Sequence, residues 1–153
     1  NIIIKTSSIK FLDNTLFEKI SSIKLMQNYL AEKGMQIKKE NNILNNKTIL
    51  RKLTNIGCFR VYIKKYLENN KNINKNMTLM VRQRPLNQYG LPLEIYAFTA
   101  TTDWQYYENI QSDIFDHILA SIELFELSVY QSPSSQDIKK ALNHESSSSN
   151  FNL

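Results

Sequence analysis

Residues 77–133 constrain the fold most, because they predict a strand, a second strand, a helix and a third strand in unbroken succession. Residues 78–83 and 91–98 each alternate their side chains in the period-two pattern of a half-buried strand. Asn87 and Gly90, between these runs, favour a turn. The two runs are therefore expected to pair as an antiparallel hairpin.

A long amphipathic helix is predicted after the hairpin. Apolar and aromatic residues recur at three- and four-residue steps between Trp104 and Phe125, which gives the helix one apolar face. The same spacing directs Trp104 and Tyr107 toward the core and leaves Tyr106 exposed or at an interface. Residues 127–131 then predict a short closing strand.

The first part of the chain predicts a strand, a helix and a loop. Residues 2–11 form the first predicted strand. The first helix is expected to begin at Asp13 or Asn14, whose side-chain oxygens suit an N-cap, and to end in a left-handed turn at Gly34. The polar, Asn-rich residues 38–48 predict a loop.

A further helix is predicted to start at Thr54 or Asn55 and to end at Asn69 and Asn70. Without this helix, the predicted order of elements would be βαββαβ. Its apolar positions recur at helical spacing and define the side expected to be buried: Phe59, Ile63, Tyr66 and Leu67.

This order of elements predicts an α+β fold, a ferredoxin-like split βαβ sandwich written βα(α)ββαβ, with an inserted loop or helix. Residues 1–133 form the predicted domain, within which residues 34–53 are a polar insert. The Ser-rich residues 134–153 lose all apolar rhythm and are expected to be a flexible, disordered tail. Helices cover one face of such a sheet, so whatever covers the free face decides the function.

The net charge of +5 and the pI of about 9.2 raise the question of nucleic acid or anionic lipid as a partner. The excess is almost entirely Lys, which is scattered along the chain, and only four Arg occur. The sequence lacks a compact basic block like those that bind anionic lipid. We therefore expect no nucleic-acid partner. The single cysteine excludes an internal disulfide.

The sequence offers little for catalysis or metal binding. Asp113, Asp116 and His117 share one side of the predicted last helix, but a metal site there lacks further ligands because the other histidine, His144, lies in the tail. A polar helix face on which Asp113 pairs with His117 is expected instead. Gly-x-Ser-x-Gly does not occur, Cys58 has no marked histidine partner, and three glycines in total exclude a phosphate-binding loop. We expect no enzyme activity, no metal and no cofactor.

Tyr96-Ala97-Phe98 raises one alternative, a stand-alone RNA-binding or ligand-binding module. RNA-recognition motifs share this order of elements and carry aromatic rings on the third strand that stack on bases. However, Glu94-Ile95 stands where that motif has Lys or Arg followed by Gly, and the first strand carries no aromatic ring. Tyr96 and Phe98 are therefore expected to pack, either in the core or against a neighbouring subunit.

Four segments carry a family resemblance: MTLMVRQ, GLPLEIYAFT, W-x-x-Y-E-x-I-Q-x-D-I-F-D-H and the closing QSP. They closely resemble the cytoplasmic C-terminal domain of bacterial small-conductance mechanosensitive channels, and most of all the low-conductance, or miniconductance, branch. Residues 8–13 and 53–60 resemble further parts of the same pattern in the same order, so the resemblance spans most of residues 2–133. Several long segments in order are more specific than one short motif.

The resemblance implies a subunit of a homo-oligomer, seven copies of which form a hollow cage below a pore. Membrane tension opens such a pore, and ions and small osmolytes leave the cell after a hypo-osmotic shock. The implied location is the bacterial inner membrane, with this domain in the cytoplasm. The chain begins without Met and has no run of about 20 apolar residues, so the membrane region and its gate are expected to precede Asn1.

On this hypothesis, adjacent subunits partly bury the free sheet face and the region of Trp104, where Trp and Tyr suit an interface. The expected interface residues are Arg82, Arg84, Tyr96, Phe98, Trp104 and Tyr106. The sequence departs from the family pattern twice. Glu126 stands where the resembling sequences typically have Gly, and no strand that would build a closing barrel follows Pro133.

Overall fold

The computed structural model describes residues 1–43 and 51–132. Helices and strands mix along these residues, which confirms the predicted α+β class. The elements in chain order are β1 (Ile2–Ile4), α1 (Asn14–Ser21), α2 (Gln27–Ile43), α3 (Asn55–Asn69), β2 (Met80–Gln83), β3 (Leu91–Tyr96) and α4 (Trp104–Ser121). Short 3₁₀ turns lie at Thr6–Ser8, Lys24–Met26 and Ile122–Phe125.

The three strands form one antiparallel sheet in the order β1-β3-β2, so β3 is central. In its register, Val81 of β2 lies opposite Ile95, and Ile4 of β1 lies opposite Leu91. The predicted hairpin of β2 and β3 is therefore confirmed.

The turn between β2 and β3 requires glycine at position 90. Asn87 and Gly90 exchange two backbone hydrogen bonds, of 3.0 and 3.1 Å. Gly90 has a φ of 142°, and an added Cβ would lie 2.3 Å from the carbonyl oxygen of Ile4 on the neighbouring strand. Both the backbone conformation and the closeness of β1 exclude a side chain at this position.

The predictions of the first and last strands are wrong in extent. β1 has three residues, because the chain bends at Thr6–Ser8 into a turn that the backbone and hydroxyl groups of Ser8 close by hydrogen bonds. Residues 127–131 form no regular strand and join β1 through a single bridge between Val129 and Ile4. Residues 127–131 take the place of the fourth strand in the split βαβ order. They pair with β1 through this one bridge, because β1 is too short for a longer ladder.

The helix predicted between Asp13 and Gly34 is in fact two helices. Asp13 is the N-cap of α1, as predicted, and its Oδ1 accepts a hydrogen bond of 2.8 Å from the Leu16 N–H. α1 ends at Ser21, whose hydroxyl donates to the Phe17 carbonyl and competes with the helical hydrogen bonds. The chain then turns before α2 begins.

α2 continues through Gly34, so the predicted helix end at Gly34 and the predicted loop over residues 38–43 are wrong. Asn41 Nδ2 donates to the Arg51 carbonyl, and the Arg51 N–H donates to Asn41 Oδ1, at 3.1 and 2.9 Å. These two bonds hold the last turn of α2 to the chain at residue 51. The rest of the predicted loop, residues 44–48, lies outside the described residues, as does the predicted tail.

α3 is the central helix of the core, and its predicted bounds are confirmed. Thr54 is the N-cap, and its Oγ1 accepts a hydrogen bond of 3.2 Å from the Gly57 N–H. Phe59 and Tyr62 each pack on the Phe125 ring, with ring centroids 5.2 Å apart in both pairs. Other fully buried apolar residues around α3 are Leu16, Ile20, Ile63, Leu67, Leu93 and Ile118.

Asn55 is fully buried and joins three segments of the chain. Its Oδ1 accepts hydrogen bonds from the Lys10 and Ile56 N–H groups at 3.0 and 2.9 Å. Its Nδ2 donates to the Ser8 and Phe125 carbonyls at 2.8 and 3.2 Å. The amide thereby supplies partners for backbone groups inside the protein, and it ties both the N-terminal segment and the 3₁₀ turn after α4 to α3.

Asn55→Ala should lower the free energy of unfolding by about 2–4 kcal/mol, because four backbone groups lose their shared partner. Asn55→Asp should also destabilise the fold, since Asp retains an acceptor but cannot donate to the two carbonyls. Urea denaturation followed by circular dichroism measures both changes. Asn69→Ala, on the exposed side of the same helix, is the matched control. Equal stability of Asn55→Ala and this control would contradict the role of Asn55.

Glu126 follows the 3₁₀ turn after α4 in the left-handed conformation, with φ 53° and ψ 36°. Glycine suits that conformation, whereas the Cβ of Glu strains it. The Glu126 carboxylate also contacts Lys10 Nζ at 2.6 Å, and this hydrogen bond raises the pKa of Lys10. The contact joins the end of α4 to the N-terminal segment.

Glu126→Gly should raise the free energy of unfolding by about 1 kcal/mol, because glycine adopts the left-handed conformation without a Cβ clash. Glu126→Gln is the control that removes the charge opposite Lys10 but keeps the strain, and it should give no stabilisation. Thermal and urea unfolding of the two variants separate the effects. A Glu126→Gly variant less stable than Glu126→Gln would show that backbone strain at this position does not limit the stability of the protein.

Candidate subunit interface

The sheet has one face toward the core and one face away from it. Val81 and Leu93 are buried and point toward the core. Because successive strand residues point to opposite faces, the neighbouring Arg82 and Glu94 lie on the outer face. This outer face therefore carries charged side chains where the inner face is apolar.

Arg82 and Glu94 lie opposite each other on β2 and β3. The Arg82 guanidinium donates to the Glu94 carboxylate, and this hydrogen bond holds the pKa of Glu94 below its usual range. Arg84 is exposed just beyond β2, and its backbone N–H donates to the Pro92 carbonyl at 2.9 Å. Of the two predicted arginines, Arg82 is thus paired within the subunit, while the Arg84 side chain is presented to the surroundings.

Tyr96 ends β3, and Phe98 follows two residues later. Their rings meet edge to face, with centroids 5.1 Å apart and an angle of 90°. Tyr96 is 47% exposed and Phe98 is half-buried. Each ring covers part of the other, so the pair differs from the open ring faces on which RNA bases stack.

Trp104 and Tyr107 lie at the start of α4, and the prediction that both face the core is wrong. Trp104 is 74% exposed and Tyr107 is 37% exposed, with 6.2 Å between their ring centroids. The first buried residue of α4 is Ile110, so the opening turn of the helix extends beyond the core. Tyr106 is 67% exposed, as predicted.

Three hydrogen bonds fix the direction in which α4 begins. The Thr99 hydroxyl donates to the Thr101 carbonyl at 2.9 Å, and the Asp103 N–H donates to Thr101 Oγ1 at 3.1 Å. Asp103 is the N-cap, since its Oδ1 accepts from the Tyr106 N–H at 3.1 Å. These bonds hold Trp104 and Tyr106 in a defined position although neither side chain is packed in the core.

Aromatic residues near the end of β3 and the start of α4 lie around two adjoining cavities that share Ala100 and Thr101, and Tyr106 lines the smaller of the two. Phe98 and Tyr107 line the same shallow cavity of about 410 Å³, together with Met77. Tyr96 pairs with Phe98, and Trp104 pairs with Tyr107, at the two sides of this cavity. We call the following residues the aromatic surface: Met77, Tyr96, Phe98, Trp104, Tyr106 and Tyr107. The sequence did not indicate that Met77 or Tyr107 belongs to it, because their place depends on how the two elements meet.

His117 belongs to the contacts between α3 and α4. Its Nε2 is 2.7 Å from the Tyr62 hydroxyl, and its ring stacks on Tyr66 with centroids 4.0 Å apart. The Ser121 hydroxyl donates to the His117 carbonyl at 2.6 Å. The expected pairing with Asp113 is wrong, because the imidazole turns toward the tyrosines of α3. Within residues 1–43 and 51–132, no three His, Cys, Asp or Glu side chains are arranged to hold a metal.

Cys58 is a core residue of α3. Its side chain is fully buried, and this burial raises the pKa of the thiol to about 11. The thiolate, which is the reactive form, is therefore nearly unpopulated at neutral pH.

Residues 60–129 match the protein family described as mechanosensitive ion channel MscS, C-terminal. The matched segment contains most of α3, all of β2, β3 and α4, and thus the whole aromatic surface. No solved structure matches the chain. In the part of the chain that the structure describes, no helix combines the length and apolar character that crossing a membrane requires. Over residues 60–129, the chain is therefore similar to the C-terminal domain of MscS mechanosensitive ion channels, a family of channel domains and not of enzymes.

Proposed function

We propose that this chain is the cytoplasmic domain of a bacterial mechanosensitive channel subunit of the low-conductance branch. MscS channels are oligomers, and seven copies of this subunit would form a cage below a tension-gated pore. Ions and small osmolytes would leave through the pore after a hypo-osmotic shock. Residues 1–133, with the insert at 34–53, would be the domain, residues 134–153 its tail, and helices preceding Asn1 its attachment to the inner membrane.

The match of residues 60–129 supports the channel function, and the exposure of the aromatic surface is the observation that supports the assembly. Trp104 and Tyr106 are 74% and 67% exposed, although large rings gain free energy when they leave water. Trp and Tyr are enriched in subunit interfaces and dominate the binding energy of many of them. Both residues lie in the segment that matches the channel family. Burial against a neighbouring subunit accounts for their exposure in the single chain.

The outer face of the sheet extends the proposed interface with charge. Tyr96 belongs to the aromatic surface, Arg82 lies on β2, and Arg84 lies just beyond the end of β2. Arg82 is already paired with Glu94 within the subunit, so it would contribute to the shape of the interface and not to an ion pair with the neighbouring subunit. Arg84 is exposed and would contact a carboxylate of the neighbouring subunit or line the path of anions between subunits.

Electrical recording from the full-length subunit tests the channel function. The intact gene, including the region that encodes residues before Asn1, is expressed in bacterial cells that lack their own mechanosensitive channels. Suction applied to membrane patches should open currents that increase with tension, and the cells should survive transfer to dilute medium. Protein inserted in the membrane without any tension-dependent current would contradict the proposal.

The double variant Trp104→Ala/Tyr106→Ala should weaken self-association by at least about tenfold, because buried interface aromatics contribute about 2 kcal/mol or more when truncated. Analytical ultracentrifugation of the chain over a concentration series measures this. Phe11→Ala is the matched control, since Phe11 is 60% exposed and lies outside the aromatic surface. Unchanged association of the double variant, or an equal loss in the control, would show that the interface lies elsewhere.

A further inference from the structure

A closed ring of identical subunits needs two different surfaces on every subunit, because each copy meets its two neighbours with opposite sides. The aromatic surface belongs to one side. The charges and the surface grooves of the described residues indicate which surfaces form the two sides of the contact. This inference rests on the proposed assembly.

The charges are unevenly distributed along the sequence: residues 1–84 are basic and residues 85–132 are acidic. Residues 1–84 contain 17 Lys or Arg and five Asp or Glu, a net charge of +12. Residues 85–132 contain no Lys or Arg and seven Asp or Glu, a net charge of −7. Two copies of such a chain attract each other when the acidic part of one meets the basic part of the other, and they repel when like parts meet. Contact between unlike parts, as in a head-to-tail arrangement, is therefore favoured over a pair in which like parts face each other.

The acidic part has an apolar ridge along α4. Trp104, Phe115 and Leu119 are 74%, 38% and 46% exposed, and their spacing of eleven and four residues places them on one side of the helix. Glu108 lies on the same side, four residues after Trp104, and Asp116, three residues before Leu119, lies at its edge. We call these five residues the α4 ridge. It begins at Trp104 and is thus continuous with the aromatic surface.

The basic part has a groove between α1 and α2 of about 470 Å³. Phe17 and Met35 line it and are 38% and 66% exposed. Lys38 and Lys52 lie at the same groove and are exposed. Asp13 also lines it, but its carboxylate is 3.5 Å from Lys10 Nζ and is thus paired. We call this the α1–α2 groove; its lining is apolar and its rim is positively charged.

Gly34 supplies an independent observation at the same groove. It lies inside α2, where glycine costs about 1 kcal/mol relative to alanine, yet its φ is ordinary and no helix end requires it. A Cβ added to Gly34 would meet no atom within 4 Å, so nothing within the described subunit demands the missing side chain. A glycine at such a position permits another chain to approach the helix backbone closely.

We propose that the α4 ridge of one copy docks in the α1–α2 groove of the next copy. Phe115 and Leu119 would enter the groove above Gly34, and the carboxylates of the ridge would approach Lys38 and Lys52 at the rim. The contact is heterologous, so its repetition generates a ring. Because its charges are exposed before docking, association should also weaken as the salt concentration rises.

Two single variants of the full 153-residue chain test the contact. Gly34→Leu fills the groove, and because leucine favours a helix, this variant should unfold at a higher urea concentration than the unmodified chain. Leu119→Lys places a positive charge on the ridge. Each variant alone should associate at least about tenfold more weakly in sedimentation experiments. Leu86→Lys, at an exposed turn residue outside both surfaces, is the control that should associate normally.

An equimolar mixture of the two variants is the decisive sample. Gly34→Leu retains an intact ridge and Leu119→Lys retains an intact groove, so one contact can form and the mixture should give dimers but nothing larger. Full association of either variant alone, or a mixture without dimers, would overturn the docking contact. If the unmodified chain associates in the same experiment, the proposed assembly itself would still stand. An unmodified chain that stays monomeric in the same experiment would overturn both.

Discussion

The carboxamide of Asn55 is the interaction on which the arrangement of this chain depends. One buried side chain binds backbone groups from the segment after β1, from the start of α3 and from the 3₁₀ turn after α4. Phe125, whose carbonyl it binds, is 70 residues away in sequence, so no local preference could bring the two together. The position of α4 beside the sheet follows from this network, which satisfies buried polar groups that would otherwise be costly.

Further contacts hold α4 at both ends and on one side. Asp103 caps its start, the contact of Glu126 with Lys10 fixes its end, and His117 joins its middle to Tyr62 of α3. The opposite side of the helix is left uncovered, and it is apolar and acidic. The uncovered groove between α1 and α2 is apolar and basic. Complementary surfaces on different parts of one subunit are what the proposed ring of subunits would need.

Local sequence patterns, which act within a few residues, predicted the hairpin and α3 correctly. The hairpin follows from the period-two pattern around Gly90, and α3 begins at its predicted cap, Thr54. Trp104 was misplaced because helical spacing gives the side of a helix but not where the core ends. Gly34 does not end α2, since packing of the helix outweighs the weak preference of one glycine. The partner of His117 lies on another helix, which no spacing along α4 could indicate.

The mass of the assembled protein tests the proposed assembly most directly. The full-length subunit, with the proposed membrane region, is extracted in a mild detergent and measured by native mass spectrometry. We expect one dominant homo-oligomer with the mass of seven subunits, and its loss when Trp104 and Tyr106 are replaced by alanine. A stable monomer as the dominant species of the unmodified subunit would contradict the assembly.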